Sequence, residues 1–222
     1  MKIFKHAVFI TFLFMAFSNY AQKAEKISIE YIDGDESLGI KTEKTFKKII
    51  KKVYPQLMKE YNPDAVTNLK VIIDNSDKKS SFVAYADGNT VTVSSEWMHK
   101  HPEDFDLMTH EIMHLIQAYP HNAGPGWITE GIADYVRDKY GLNNKKAGWK
   151  LTGFQPSHHY TNSYRITARF LKWTEKKYNK ELVKKLDFLM RNKQYSDDQW
   201  KKLTGKELQE LWEAYSKNPE IS

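Results

Sequence analysis

Residues 108–117, Met-Thr-His-Glu-Ile-Met-His-Leu-Ile-Gln, constrain the fold and the chemistry of this chain more than any other stretch. His110 and His114 are four positions apart, so a helix would place both imidazoles on one face. Two neutral imidazoles on one face can bind one divalent ion, most often zinc. Glu111 is offset from them by about 100° around the helix, close enough to take a proton from a water on the metal. The other positions are mostly apolar, so we expect the helix to be buried on its remaining sides.

The pattern H-E-x-x-H also has a purely structural interpretation, in which the two histidines hydrogen-bond inside a core. The sequence that follows favours the metal site. Two histidines leave a catalytic zinc short of a third protein ligand, and a predicted helix begins after the Gly-Pro-Gly turn at 124–126. Glu130 and Asp134 lie four apart and therefore on one face of that helix. Apolar residues surround them, so these half-buried acids need a partner.

We expect Glu130 to be the third zinc ligand. Asp134 would accept a hydrogen bond from the outer nitrogen of a ligand histidine and so fix its tautomer. Two other third ligands stay open at this point, Asp134 itself and His121. For His121, the extended pattern H-E-x-x-H-x-x-G-x-x-H is not met, because positions 117 and 120 hold glutamine and proline.

Composition narrows the choice of chemistry and of compartment. The 222 residues contain no cysteine, which excludes disulfides, thiol nucleophiles and cysteine ligands. Residues 1–21 combine two lysines with an apolar run at 7–17 that is too short to span a bilayer comfortably. We predict a signal peptide over 1–21, cleaved after Ala21, with an uncleaved membrane anchor as the alternative. A single domain over 22–222 would then be secreted or periplasmic, monomeric, and without stable membrane insertion.

The charge is mildly basic. The formal net charge is +6, and residues 1–21 contribute two lysines and no acid, which leaves +4 for the remainder. The lysines are dispersed along predicted helices, without a basic stripe interleaved with base-stacking aromatics. We therefore expect no nucleic-acid partner.

Hydrophobic periodicity predicts an α+β fold with a small mixed sheet and a helical C-terminal half. A hairpin with a turn at 87–89 precedes the H-E-x-x-H helix, and its exposed edge could receive a peptide by β-addition or be purely structural. Pro55 is expected to kink or divide the first helix. Strands are predicted at 26–33, 69–74, 82–86 and 90–94, and helices at 42–61, 102–119, 126–137, 163–178, 180–193 and 205–216.

Several motifs resemble those of one known family. They are the H-E-x-x-H segment, Gly-Trp-Ile-Thr-Glu-Gly-Ile-Ala-Asp-Tyr-Val-Arg at 126–137, Asn-Ser-Tyr-Arg-Ile-Thr-Ala-Arg-Phe-Leu at 162–171, and the closing segment at 203–212. Together they are similar to the basic secretory proteins of plants and bacteria, zincin-like metallopeptidases, over residues 26–217. The resemblance implies a zincin-like fold, an extracytoplasmic location and zinc-dependent hydrolysis of peptides or proteins. The competing hypothesis is a catalytically silent zincin fold that binds polysaccharide or a partner protein.

Amide hydrolysis builds negative charge on the carbonyl oxygen, and a donor besides the metal commonly stabilises it. Tyr164 is the first candidate, because it lies where the resembled family has a tyrosine and begins a predicted helix. A packed aromatic residue with a merely satisfied hydroxyl is the alternative. His158, His159 and Tyr160 are reserve candidates, on a long connection that we expect to lie over the cleft.

Overall fold

A computed structural model describes residues 26–76 and 82–221 of the chain. The predicted signal segment at 1–21 lies outside the described residues. Within them, no helix combines the length and the apolar character needed to cross a bilayer.

Four strands form one mixed sheet in the order β1-β2-β4-β3. The first three in that order run parallel to one another, and β3 pairs antiparallel with β4 at the edge of the sheet. Gly88 takes a positive φ of 57° in the tight turn of the hairpin, a conformation that costs glycine little. The predicted strands and the mixed sheet are therefore observed. Their bounds are β1 (Ser28–Ile32), β2 (Asn68–Asp74), β3 (Ala84–Asp87) and β4 (Thr90–Ser94).

Eight α-helices among the described residues complete an α+β fold. Two single 3₁₀ turns, at Glu36–Leu38 and Tyr160–Asn162, precede α1 and α5. The helices are α1 (Gly39–Glu60), α2 (Ser95–Lys100), α3 (Leu107–Gln117), α4 (Gly126–Tyr140), α5 (Tyr164–Lys177), α6 (Leu182–Arg191), α7 (Asp198–Thr204) and α8 (Leu208–Lys217).

The first helix is continuous, although a division at Pro55 was one of the two predicted outcomes. Its buried stripe includes Phe46, Ile49 and Val53, at the helical spacing seen in the sequence. The stripe packs α1 against α3. Pro55 lies on the exposed side, so the hydrogen bond that it cannot donate would have been on the solvent face.

The H-E-x-x-H helix begins at Leu107, and the predicted start at Pro102 is wrong. The acids that suggested an earlier start are used elsewhere. Asp104 bonds to a side chain of α4, and Asp106 accepts the backbone N–H groups of the two residues that follow Gly141. These long-range contacts hold residues 101–106 as turns, and no acid lies in the first turn of α3.

The long connection after α4 has two parts. Residues 146–149 line the cleft beside α3, as predicted for the whole connection. Phe154 instead packs against α8, with its ring centroid 5.4 Å from that of Tyr215. The prediction therefore holds only for the first part of the connection.

Helices α4 and α5 approach each other closely at Gly131. A Cβ atom at this position would lie 2.3 Å from Cγ2 of Thr167, which is a side chain of α5. Thr167 is itself fixed, because it is fully buried and its hydroxyl donates to the carbonyl oxygen of Tyr160 at 2.5 Å. The absence of a side chain at 131 therefore sets the spacing between these helices.

The sequence interpretation missed the short helix α7. Among its seven residues only Trp200 is buried, which leaves too little of an apolar stripe to reveal a helical period. The other three helices of the C-terminal half lie within a few residues of their predicted bounds.

Candidate metal centre and its cleft

Helices α3 and α4 run antiparallel, and a series of side-chain contacts joins them across the floor of a cleft. One end of the series is at the C-terminus of α3 and the other lies just before its N-terminus. In order, the contacts are Gln117 with Thr129, His114 and His110 with Glu130, His110 with Asp134, and Asp104 with Arg137.

Three possible metal-ligand atoms converge near the middle of this series. The Nε2 atoms of His110 and His114 are 3.1 Å apart. Oε2 of Glu130 lies 3.2 Å from the first and 3.6 Å from the second. A tetrahedral zinc site with bonds of about 2.0–2.1 Å requires ligand atoms about 3.3–3.4 Å apart. The three atoms therefore fit one zinc ion. They belong to the three residues that the sequence predicted as ligands.

The outer nitrogens of both histidines have acceptors. Nδ1 of His110 donates to Asp134 at 2.7 Å, as predicted, and Nδ1 of His114 donates to Oε1 of Gln117 at 2.7 Å. Because Nδ1 of each ring donates to its acceptor, Nε2 is the nitrogen that faces the common centre. This arrangement favours the tautomer that a metal ligand needs.

Gln117 is the residue that the sequence interpretation missed. Its amide nitrogen also donates to the carbonyl oxygen of Thr129 at 3.0 Å, one residue before Glu130. One buried side chain thus contacts a candidate ligand on α3 and the backbone beside a candidate ligand on α4. Its position in the sequence could have indicated this role. Gln117 is an amide side chain three residues after His114, in a helix whose other residues nearby are apolar.

Two side chains of the centre, His110 and Glu130, have strongly shifted pKa values. Burial by itself lowers the pKa of His110, but hydrogen bonds to Asp134 and Glu130 outweigh it and raise the pKa to about 10. Burial raises the pKa of Glu130, and its contacts with His110 and His114 outweigh that effect and lower it to about 2. The centre is therefore arranged around a positive charge between carboxylates, a role that a dication can take over from a proton.

Glu111 lies beside the converging atoms and lines the cleft, with only 7% of its surface exposed. Burial raises its pKa, and the neighbouring histidines oppose this without cancelling it. A carboxyl group whose pKa is raised in this way holds a proton more firmly than an exposed one, which suits a group that must accept a proton and later return it.

Tyr164 also lines the cleft, with its ring nearly parallel to that of His110 and the two centroids 6.1 Å apart. It is 53% exposed, so it is not a packed aromatic residue of the core, which was the alternative interpretation. The carboxylate of Glu130 is the main cause of its raised pKa. Ser163 and Tyr164 have φ values of 64° and 49°, which are strained for residues with a side chain. Such strain is typical of functional sites.

The other oxyanion candidates are not brought to the cleft. His159 caps the 3₁₀ turn that follows it, and Tyr160 packs against Trp127 with ring centroids 5.0 Å apart. His158 packs against Phe154 on the side of α8. His121 is exposed and is not among the described residues that line the cleft.

The cleft has a volume of about 1160 Å³. The edge strand β3 forms one wall with Ala84, Tyr85 and Ala86, and it packs against α3. Residues 146–149 and Tyr164 form other parts of the wall. The candidate metal centre therefore lies in an open groove beside the outer edge of β3, which has no partner strand among residues 26–76 and 82–221.

Comparison with known proteins places this centre inside a recognised family. A family model described as a peptidase of plants and bacteria matches residues 35–215, which include every residue of the centre. Searches of curated proteins and of solved structures found no match. The match covers most of the chain and confirms the resemblance drawn from its motifs. The chain therefore belongs to the basic secretory protein family, the peptidases of plants and bacteria.

Proposed function

We propose that this protein is a secreted, zinc-dependent metallopeptidase with a zincin-like fold. The observation that carries the proposal is the convergence of His110, His114 and Glu130 at separations of 3.1–3.6 Å, with Glu111 beside them. Membership of a peptidase family supports peptide hydrolysis as the reaction. The secreted or periplasmic location rests on residues 1–21 alone.

His110, His114 and Glu130 would hold the zinc ion. When bound, zinc would supply Lewis-acid chemistry, because it lowers the pKa of a water to about 7 and polarises a carbonyl group. The protein's own contribution is to fix the ligands before the ion arrives. Asp134 and Gln117 do this by accepting the outer N–H groups of the two imidazoles.

Glu111 moves the proton. Its carboxylate accepts a proton from the attacking water and then donates that proton to the leaving amine nitrogen as the peptide bond breaks. The raised pKa of Glu111 keeps both steps feasible, because a carboxyl group with a very low pKa would hold the proton too weakly to return it.

Substrate position follows from the walls of the cleft. A peptide in extended conformation would pair with the outer edge of β3, which is the last strand of the sheet within the described part of the chain and lines the cleft. The phenol group of Tyr164 would donate to the negative charge that develops on the carbonyl oxygen. Its strained backbone and its place beside His110 support this role.

The test is the variant Glu111→Gln, compared with Asp138→Asn as a matched control. Asp138 also lies near the centre in sequence, on α4, but it pairs with Lys172 outside the cleft. Glu111→Gln should keep about one zinc per chain and lose about 10²–10⁴-fold in the cleavage rate of casein or a peptide pool. The control should keep both properties.

Metal analysis and cleavage assays together separate the two hypotheses. Wild-type rates in Glu111→Gln would refute the assigned base. A zinc-loaded wild-type protein that cleaves no peptide would instead favour the silent binder of polysaccharide or of a partner protein.

A further inference from the structure

Two tryptophans line the end of the cleft that lies beyond the N-terminus of α3. Trp97 belongs to α2 and Trp149 to the connection after α4, and both are half-buried. Between them and the metal centre lies Leu107, which also lines the cleft. Leu107 is three residues before His110, a rise of about 4.5 Å along one helical face. This end of the cleft therefore starts about one helical turn from a candidate ligand.

One ion pair holds both indoles in place. Oδ2 of Asp104 accepts the Nε1–H of Trp97 at 3.0 Å, and its other oxygen accepts from the guanidinium group of Arg137. That guanidinium group stacks on Trp149, 4.3 Å from the ring centroid. The side chains of Arg137 and Asp104 are only 7% and 13% exposed. The two indoles are thus fixed by the protein before a ligand binds.

Each indole has one covered face. The ring of His101 lies against Trp97 with a centroid separation of 3.9 Å, and Arg137 covers one face of Trp149. Both indoles line the cleft and are half-buried, so each keeps some exposed area there. This area is apolar and rigid, which is the kind of surface that gains from contact with another apolar group.

The acids at this end already have basic partners. Asp104 pairs with Arg137, and Glu103 pairs with Lys146 at 2.8 Å. A charged ligand group would have to compete with one of these pairs and would lose its own hydration. A neutral apolar group would contact the two indoles without breaking either pair.

We infer that this end of the cleft binds a bulky apolar or aromatic side chain of the peptide substrate, at a residue next to the scissile bond. The inference rests on the proposed peptidase function and adds a substrate class to it. A subsite of this kind discriminates between large and small apolar side chains by about 10–200-fold in kcat/KM.

The experiment uses quenched fluorescent peptides that differ only at the two residues flanking the scissile bond. Each position carries Phe, Leu, Ala or Asp in turn. The wild-type protein should prefer Phe or Leu to Ala and Asp at one of these positions, by about tenfold or more in kcat/KM. Trp149→Ala should remove most of this preference while still cleaving the Ala peptide, and Trp149→Phe should retain it.

Phe188→Ala is the control, because Phe188 is a 55% exposed aromatic residue of α6 outside the cleft. It should leave the preference unchanged. Equal cleavage of all the peptides at both positions by the wild type, or an unchanged preference in Trp149→Ala, would overturn the inference while leaving the peptidase function intact. Failure to cleave any peptide would overturn both. If Trp149→Ala does not fold, the wild-type preference decides the inference alone.

Discussion

Replacing Gln117 by alanine should weaken zinc binding although none of the three candidate ligands is changed. The amide of Gln117 accepts from Nδ1 of His114 at 2.7 Å and donates to the carbonyl oxygen of Thr129 at 3.0 Å. The first bond orients one imidazole, and the second fixes the backbone one residue before Glu130. Alanine removes both hydrogen bonds, so the two helices lose one of the contacts that align their candidate ligands.

The expected size of the effect follows from burial. Gln117 is 1% exposed, and leaving a buried hydrogen-bond partner unsatisfied costs about 1–3 kcal/mol. Alanine leaves two such groups without their partner, Nδ1 of His114 and the carbonyl oxygen of Thr129. Both are in partly buried hydrogen bonds that water can reach in part, so we expect a total loss of about 2–4 kcal/mol in the free energy of unfolding. For a chain of this size that lowers Tm by about 5–15 °C. Loss of an outer partner of a ligand histidine should weaken zinc affinity by about 10–100-fold.

Zinc affinity is measured by competition with a chromophoric chelator, and Tm by circular dichroism in EDTA. Asn179→Ala is the matched control, because its amide also forms two hydrogen bonds, at 2.9 Å and 3.0 Å, away from the centre. It should lower Tm and leave zinc affinity unchanged. Gln117→Glu keeps the acceptor for His114 and removes the donor to Thr129, so it should retain more zinc affinity than Gln117→Ala.

The reasoning fails if Gln117→Ala binds zinc within about twofold of the wild type. A lower Tm with unchanged zinc affinity would make Gln117 a purely structural residue. An equal loss of zinc affinity in Asn179→Ala would attribute the effect to general destabilisation.

Two further predictions concern strain and pH. Ser163 has φ 64° and ψ −177°, a region that costs a non-glycine residue about 1–3 kcal/mol. Ser163→Gly should therefore raise the free energy of unfolding, measured in urea, by about 1 kcal/mol. This figure allows for the greater conformational entropy that glycine gives the unfolded chain. Ser163→Ala keeps Cβ and the strain, so an equal gain in that variant would contradict the explanation. The pKa of His110 is raised to about 10, so its proton stabilises the metal-free protein fully below pH about 6.5 and less as pH rises through about 10. Zinc binding at pH 7 should release about one proton, measured by calorimetry in buffers of different ionisation enthalpy, and binding with no proton release would refute the shifted pKa.

The centre was predictable because its residues follow helical spacing. His110 and His114 are four apart, as are Glu130 and Asp134, and local spacing alone places each pair on one face. The burial of α3 on its other sides followed from the apolar residues between the histidines. What spacing could not give is the crossing of the two helices, which brings the pairs together.

The start of α3 was not predictable for the opposite reason. Asp104 resembles a residue of the first helical turn, but its partner Arg137 lies 33 positions away in the sequence. The path of the connection after α4 depends likewise on the contact of Phe154 with α8, more than fifty residues further on. Pairings at this range depend on the finished fold and have no local signal.

The close approach of α4 and α5 at Gly131 limits which substitutions this protein can accept. Position 131 follows Glu130 directly, and the facing helix begins at Tyr164. Even one added methyl group would collide with Thr167 and push the two helices apart, carrying the phenol ring away from the carboxylate. We therefore expect position 131 to accept no residue larger than glycine as long as Tyr164 and Glu130 must stay close together. Changes in specificity would then have to come from substitutions in the walls of the groove.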